Sequence, residues 1–291
     1  MIFRVSIFLS LVVACSLVAA TPKEEYAAIM RDYNTDMGIR GAKTDIDRKR
    51  AVERFAQFPQ RLVELARKYP EDPIALTALR QAIQAVNTTD SIAQVAWESN
   101  EGEFPKGSSD KWVKQTVDQL LRDHIRSKNL GRAIDRARYG YRPGFERFLR
   151  KAMRLNPERD NQAAACLALA QYLLDKAWML QLVKDRPGLM DAYANILGDN
   201  YVSGWKKRGI AGLTREAEQL FEKAATYEDV EIRPGNVAAI AKMSLYEIRN
   251  LSIGKPAPET EGPDQDGLRF RLSDYRGKVV LLYFWMQFCP T

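Results

Sequence analysis

A single histidine stands in 291 residues, and that scarcity removes whole classes of chemistry. A metal centre built on several imidazoles is excluded. Any Ser–His or Cys–His machine would have to use His124, whose setting, QLLRDHIRSK, reads as a surface or helix-end position. Cysteine is scarce too. Cys15, Cys166 and Cys289 are too few for a disulfide scaffold or a four-thiolate zinc site. With 13 Pro and 17 Gly the chain is neither collagen-like nor dominated by linkers. Beyond the first twenty residues no segment is long and apolar enough to cross a bilayer. What remains is an ordinary globular composition, with a length that suits about two domains.

Residues 1–20, MIFRVSIFLSLVVACSLVAA, carry one Arg and no acid. A charged start, a short apolar stretch and a small-residue end are the layout of an export signal. Val18-Ala19-Ala20 fits cleavage before Thr21. Val12-Val13-Ala14-Cys15 fits a lipobox instead, with Cys15 lipidated as the only membrane attachment; an uncleaved anchor is the third reading. All three place the rest of the chain outside the cytoplasm.

From residue 21 to 250 the expectation is an α-helical, repeat-like domain. Residues 44–69 put Val52, Phe55, Leu62, Leu65 and Ala66 near helical spacing, with a kink or break at Pro59. Tyr69-Pro70-Glu71-Asp72-Pro73 closes this helix and opens the next, Ile74–Val86. Asn87-Thr88-Thr89 reads as a loop. The same sentence recurs at Phe145–Leu155, Asn156-Pro157-Glu158-Arg159-Asp160 and Ala163–Leu182, and more loosely at Ala217–Tyr227 and Val237–Ile248. Helix, Pro/acid turn, helix is the unit of an α-solenoid or tetratricopeptide-like array. Cys166, within AAACLALAQYLL, reads as a buried hydrophobe.

The basic charge is concentrated. Lys128, Arg132, Arg136, Arg138, Arg142, Arg147, Arg150, Lys151 and Arg154 face only Asp135 and Glu146 in residues 128–154, nine against two, a surplus equal to the whole chain's net charge of +7. Export argues against nucleic acid, which leaves an acidic protein or an anionic lipid surface as the partner, or a solvated helix face.

After Asn250 the composition changes. Pro256, Pro258 and Pro263 lead to a Gln265-Asp266-Gly267 turn and to alternating Leu268, Phe270 and Leu272, the pattern of a hairpin. Val279–Trp285, VVLLYFW, reads as a strand buried on both faces. Cys289 follows.

This tail resembles the opening of the alkyl hydroperoxide reductase/thiol-specific antioxidant and thioredoxin-like redoxin domains. It is most similar to exported bacterial thiol–disulfide oxidoreductases. Gly254, Lys255, Ala257 and Pro258 match the opening motif; Leu272, Ser273, Tyr275, Gly277 and Lys278 match the turn before the central strand; Phe284 and Trp285 match the aromatic pair ahead of the active cysteine. Cys289 falls on the nucleophilic cysteine of C-x-x-C, with Pro290 and Thr291 in the two x positions. The peroxiredoxin spacing fails, because it wants Pro and Thr or Ser where Leu282 and Met286 stand.

Taken with the helical reading of residues 21–250, the resemblance implies a mainly α chain followed by an α/β thioredoxin-like domain, represented here by a hairpin and the first central strand. Its divisions are 1–20 export signal, 21–250 helical domain and 251–291 redoxin part, cut inside its catalytic motif. The implied reaction is thiol–disulfide exchange in the periplasm or cell envelope of a bacterium. Cys289 is the nucleophile, a protein disulfide or dithiol is the partner, and no metal or organic cofactor takes part. A thiol peroxidase is the other enzymatic reading. A helical interaction module with a vestigial redoxin tail is the non-enzymatic one.

Overall fold

The computed structural model describes residues 20–37, 53–98, 110–186, 188–233 and 235–283. The chain is mostly helical and separates into two compact units, Met1–Ala217 and Glu218–Thr291.

The first unit contains α1 (Pro22–Met37), α2 (Phe58–Lys68), α3 (Pro73–Glu98), α4 (Asp110–Gln119), α5 (Gly131–Arg138), α6 (Pro143–Leu155), α7 (Arg159–Asp185), α8 (Gly188–Leu197) and most of α9 (Asp199–Ala224). A π-helical turn, Leu120–His124, extends α4. The most extensive helix packings among the described residues are α2 on α3, α6 on α7 and α5 on α7. Pro59 sits in the first turn of α2, where its missing N–H costs nothing, so it starts this helix rather than kinking a longer one. Leu62, Val63, Leu65 and Ala66 form the buried stripe of α2. At its start Tyr33 meets Phe58 edge-on at 5.2 Å and Phe55 at 5.8 Å.

Helix α7 is central. Ala163 through Ala170 are buried all round, as expected of a helix with neighbours on every side. Cys166 lies within this run, fully buried. Two helix–turn–helix pairs, α2/α3 and α6/α7, carry the Pro/acid turns expected of them.

One expectation is corrected here. Asn87-Thr88-Thr89 is not a loop: α3 runs through it to Glu98, and all three residues are buried. Each of the three side chains has a hydrogen-bond partner here, although Asn87 Oδ1 is buried without one. Asn87 Nδ2 donates to Arg136 O at 2.8 Å, Thr88 meets the Tyr33 hydroxyl, and Thr89 Oγ1 bonds back to Ala85 O.

The second unit holds the last two turns or so of α9, then α10 (Val237–Tyr246), a π-helical turn (Glu247–Leu251), and a hairpin of β1 (Glu261–Pro263) and β2 (Arg269–Arg271). Asn236 caps α10 by accepting from Ala239 N at 3.1 Å. Arg249 reaches back to Glu218 and Glu222.

Candidate functional site

The candidate redox segment begins at Gly254, whose φ of +87° suits glycine alone among common residues. β1 and β2 pair antiparallel with Glu261 opposite Arg271, Gly262 opposite Phe270 and Pro263 opposite Arg269. The turn works as its residues dictate. Asp264 Oδ1 accepts from the backbone N–H groups of Asp266 and Leu268, and Gly267 supplies a φ of +79°. Leu272–Tyr275 then forms one 3₁₀ turn, with the Asp274 carboxylate accepting from Arg271 N at 2.8 Å.

A single carboxylate ties the approach to this turn. Glu259 Oε1 accepts from Ser273 N at 3.0 Å and from Thr260 N at 3.2 Å, while Leu272 N donates to Thr260 O. The hydrogen bonds from Ser273 hold the Glu259 carboxyl below its ordinary range. Phe270 packs edge-on to Tyr275, and Lys278 lies over the Tyr275 ring.

Beyond Lys278 the structure departs from expectation. Residues 279–283 form no strand, and Val279, Leu281 and Tyr283 are strongly exposed. The two strands among the described residues are only three residues long and pair with each other, so the sheet offers at most a three-residue edge to a run of this length. The expected central strand, and with it a strand buried on both faces, is therefore corrected over these residues. Phe284, Trp285 and Cys289 lie outside the described residues, as does Cys15.

Residues 253–291 match the family model described as AhpC/TSA family. This places a redoxin-like segment at the C-terminus, consistent with a thiol oxidoreductase or peroxidase in general. No curated protein and no solved structure matches the chain.

In the helical unit the structure brings together charges that the reading of the sequence had left apart. Arg142, buried at the turn into α6, grips the fully buried Asp90 of α3 with two prongs, at 2.9 and 2.7 Å, and reaches Asp110 of α4 at 2.7 Å. Burial raises the Asp90 carboxyl above its usual range, and the guanidinium works against that shift. Beside this clasp, Lys176 of α7 is 2% exposed. Its Nζ donates to Gly140 O at 3.1 Å and faces the rings of Tyr172, Tyr141 and Trp205 at 4.3, 4.8 and 5.6 Å. Burial lowers its pKa to about 8. The Tyr172 hydroxyl meets Tyr201 and donates to Arg142 O.

The clue to both charges was in the spacing. Asp90 continues the buried stripe Leu79, Ile83, Val86, and Lys176 continues Leu169, Tyr172, Leu173. A charge on an apolar stripe is either buried and partnered or destabilising.

The basic stretch is partly neutralised, by its own Glu146 and by acids from outside it. Arg147 pairs with Asp118, and Arg150 with Glu146 and Glu216, while Lys128, Arg132, Arg136, Lys151 and Arg154 are exposed. His124 ends the π-helical turn half-buried, and burial lowers its pKa. Among the described residues no His/Cys/Asp/Glu group could hold a metal ion.

Proposed function

We propose that the chain is an extracytoplasmic thiol–disulfide oxidoreductase whose attacking group is Cys289. The observation that carries this reading is the AhpC/TSA match over residues 253–291, in which the hairpin and the Glu259-tied turn precede the cysteine. In the reaction the Cys289 thiolate attacks one sulfur of a substrate disulfide. The S–S bond breaks, the other sulfur leaves as thiolate, and a mixed disulfide forms. One thiol of an external dithiol then attacks the Cys289 sulfur and expels the substrate's second sulfur as thiolate, and the dithiol's other thiol displaces Cys289 as thiolate, closing the dithiol to a disulfide.

The exposed cations of 128–154 are assigned in this reading to an acidic protein partner or an anionic lipid surface. The sequential helix pairs α2/α3 and α6/α7 support an α-solenoid-like interaction domain. The match is equally compatible with a peroxidase, in which Cys289 would reduce a hydroperoxide. The test is reduction of insulin disulfides, with dithiothreitol as the electron source, by the full chain and by Cys289→Ser. Loss of turnover and of a trappable mixed disulfide in the variant supports exchange. Turnover on hydroperoxide alone moves the assignment to the peroxidase, and equal activity of both proteins on insulin removes Cys289 from the reaction.

A further inference from the structure

Helix α9 is interrupted at Gly209, whose φ of +68° and ψ of 166° are non-helical and open only to glycine. Helices that bend sharply usually do so at proline or a π-bulge, which force the bend. α9 has neither at this point. Glycine permits the kink but does not impose it, since glycine also takes helical angles at modest cost. Space does not impose it either: a Cβ built on Gly209 meets nothing within 4 Å.

A set of four charges straddles the interruption. Arg208, the last residue before it, reaches Glu216 on the far side at 2.6 Å and Glu146 of α6 at 3.1 Å. Arg150 of α6 bonds the same two carboxylates, each at 2.6 Å. Burial would raise the Glu216 carboxyl, but Arg150 and Arg208 outweigh it and hold it below its ordinary range. In an unbroken helix eight residues rise about 12 Å, which Arg208 and Glu216 would span only almost fully extended. The ion pair therefore distinguishes the kinked helix from the straight one.

We propose that Gly209 is a hinge and that Arg208, Glu216, Glu146 and Arg150 form the clamp that selects its bent position. α9 then has two arrangements, kinked with the clamp closed and continuous with it open. The balance between them is set by electrostatic attraction, so it responds to ionic screening. The clamp is only partly buried, with side-chain exposures of 13–40%, so salt can reach it.

The test uses the full chain with Cys15 and Cys289 changed to Ser, the buried Cys166 left in place, and spin labels on Ser203→Cys and Arg215→Cys. Both labelled positions are exposed and lie on either side of the hinge. At low salt a distribution dominated by a separation shorter than the continuous-helix spacing of about 18 Å between the two Cα atoms, with a minor population at the longer one, is expected. Glu216→Gln, or molar salt, should move the ratio of bent to straight by about five-fold toward the longer separation, the size of effect that roughly 1 kcal/mol produces. Gly209→Ala should leave only the longer one. An unchanged ratio of the two separations in both Glu216→Gln and molar salt overturns the clamp. Retention of the short distance in Gly209→Ala overturns the hinge. If Gly209→Ala loses its helical circular dichroism, Glu216→Gln and salt decide alone.

Discussion

Replacing Lys176 by Met should make the protein more stable at neutral pH, although it deletes a hydrogen bond. The ordinary lysine value of 10.5 falls to about 8 at this site because the ammonium is buried. That depression of about 2.5 units corresponds to about 3 kcal/mol at 1.36 kcal/mol per unit. Between pH 8 and 10.5 the unfolded chain binds the proton that the folded chain has released. Stability must therefore rise with pH in that window, and below pH 8 the full penalty stands. By pH 9 the wild type should have gained about 1 kcal/mol over pH 7 from this group alone. Tyr172 and Tyr201, both pushed above 10 by burial, begin to act in the opposite sense only above pH 10, so pH 7–9.5 is the clean range. Met keeps the length of the side chain and drops the charge. It leaves Gly140 O unpaired at a cost of about 1 kcal/mol, for a net gain of 1–2 kcal/mol at pH 7. Urea denaturation followed by helical circular dichroism, at intervals across this range, measures both quantities. A variant that is less stable than wild type, together with a wild type whose stability does not rise toward pH 9.5, would show that the three rings hold the ammonium more strongly than burial repels it. In that case the reasoning fails.

Asp90→Ala should cost about 3 kcal/mol in the same denaturation experiment, because it removes the buried, two-pronged carboxylate from a buried guanidinium and leaves the half-exposed Asp110 to face it. Asp110→Ala should cost under about 1 kcal/mol, since that carboxylate is 48% exposed; equal losses would refute the distinction. Gly140→Ala should destabilise by about 1–3 kcal/mol, because its Cβ would fall 2.1 Å from the Phe145 ring; a neutral effect on the melting transition would contradict this packing. Glu259→Ala should abolish slow amide exchange at Ser273 and Thr260 while leaving the Asp264 turn intact. Its carboxyl in the wild type should titrate below the ordinary glutamate value in a carbon-detected NMR titration.

The helix pairs and the hairpin were legible because they rest on local rules: Pro at a first helical turn, Asp and Gly in a tight turn, apolar positions at helical spacing. The Asn87-Thr88-Thr89 error arose where tertiary partners, Arg136 and Tyr33, satisfied groups that propensity alone sends to a loop. Val279–Tyr283 failed for the converse reason. A β-rich run records what a segment prefers when an edge is offered to it, and says nothing about whether that edge exists. The Lys176 and Asp90 clusters were legible only as an oddity, a charge on an apolar stripe. Their partners, Gly140 and Arg142, lie 36 and 52 residues away, and no periodicity reports such a separation.

The reach of Arg142 has a kinetic meaning. Helices that are neighbours in the chain, α2 with α3 and α6 with α7, close short loops and can assemble early. The clasp on Asp90 joins residues 52 apart, and it is worth forming only once the surrounding helices have excluded water from both charges. It therefore belongs on the native side of the folding barrier. Its loss should appear chiefly as faster unfolding, with refolding little changed, so the pair governs how long the helical unit stays folded more than how quickly it gets there.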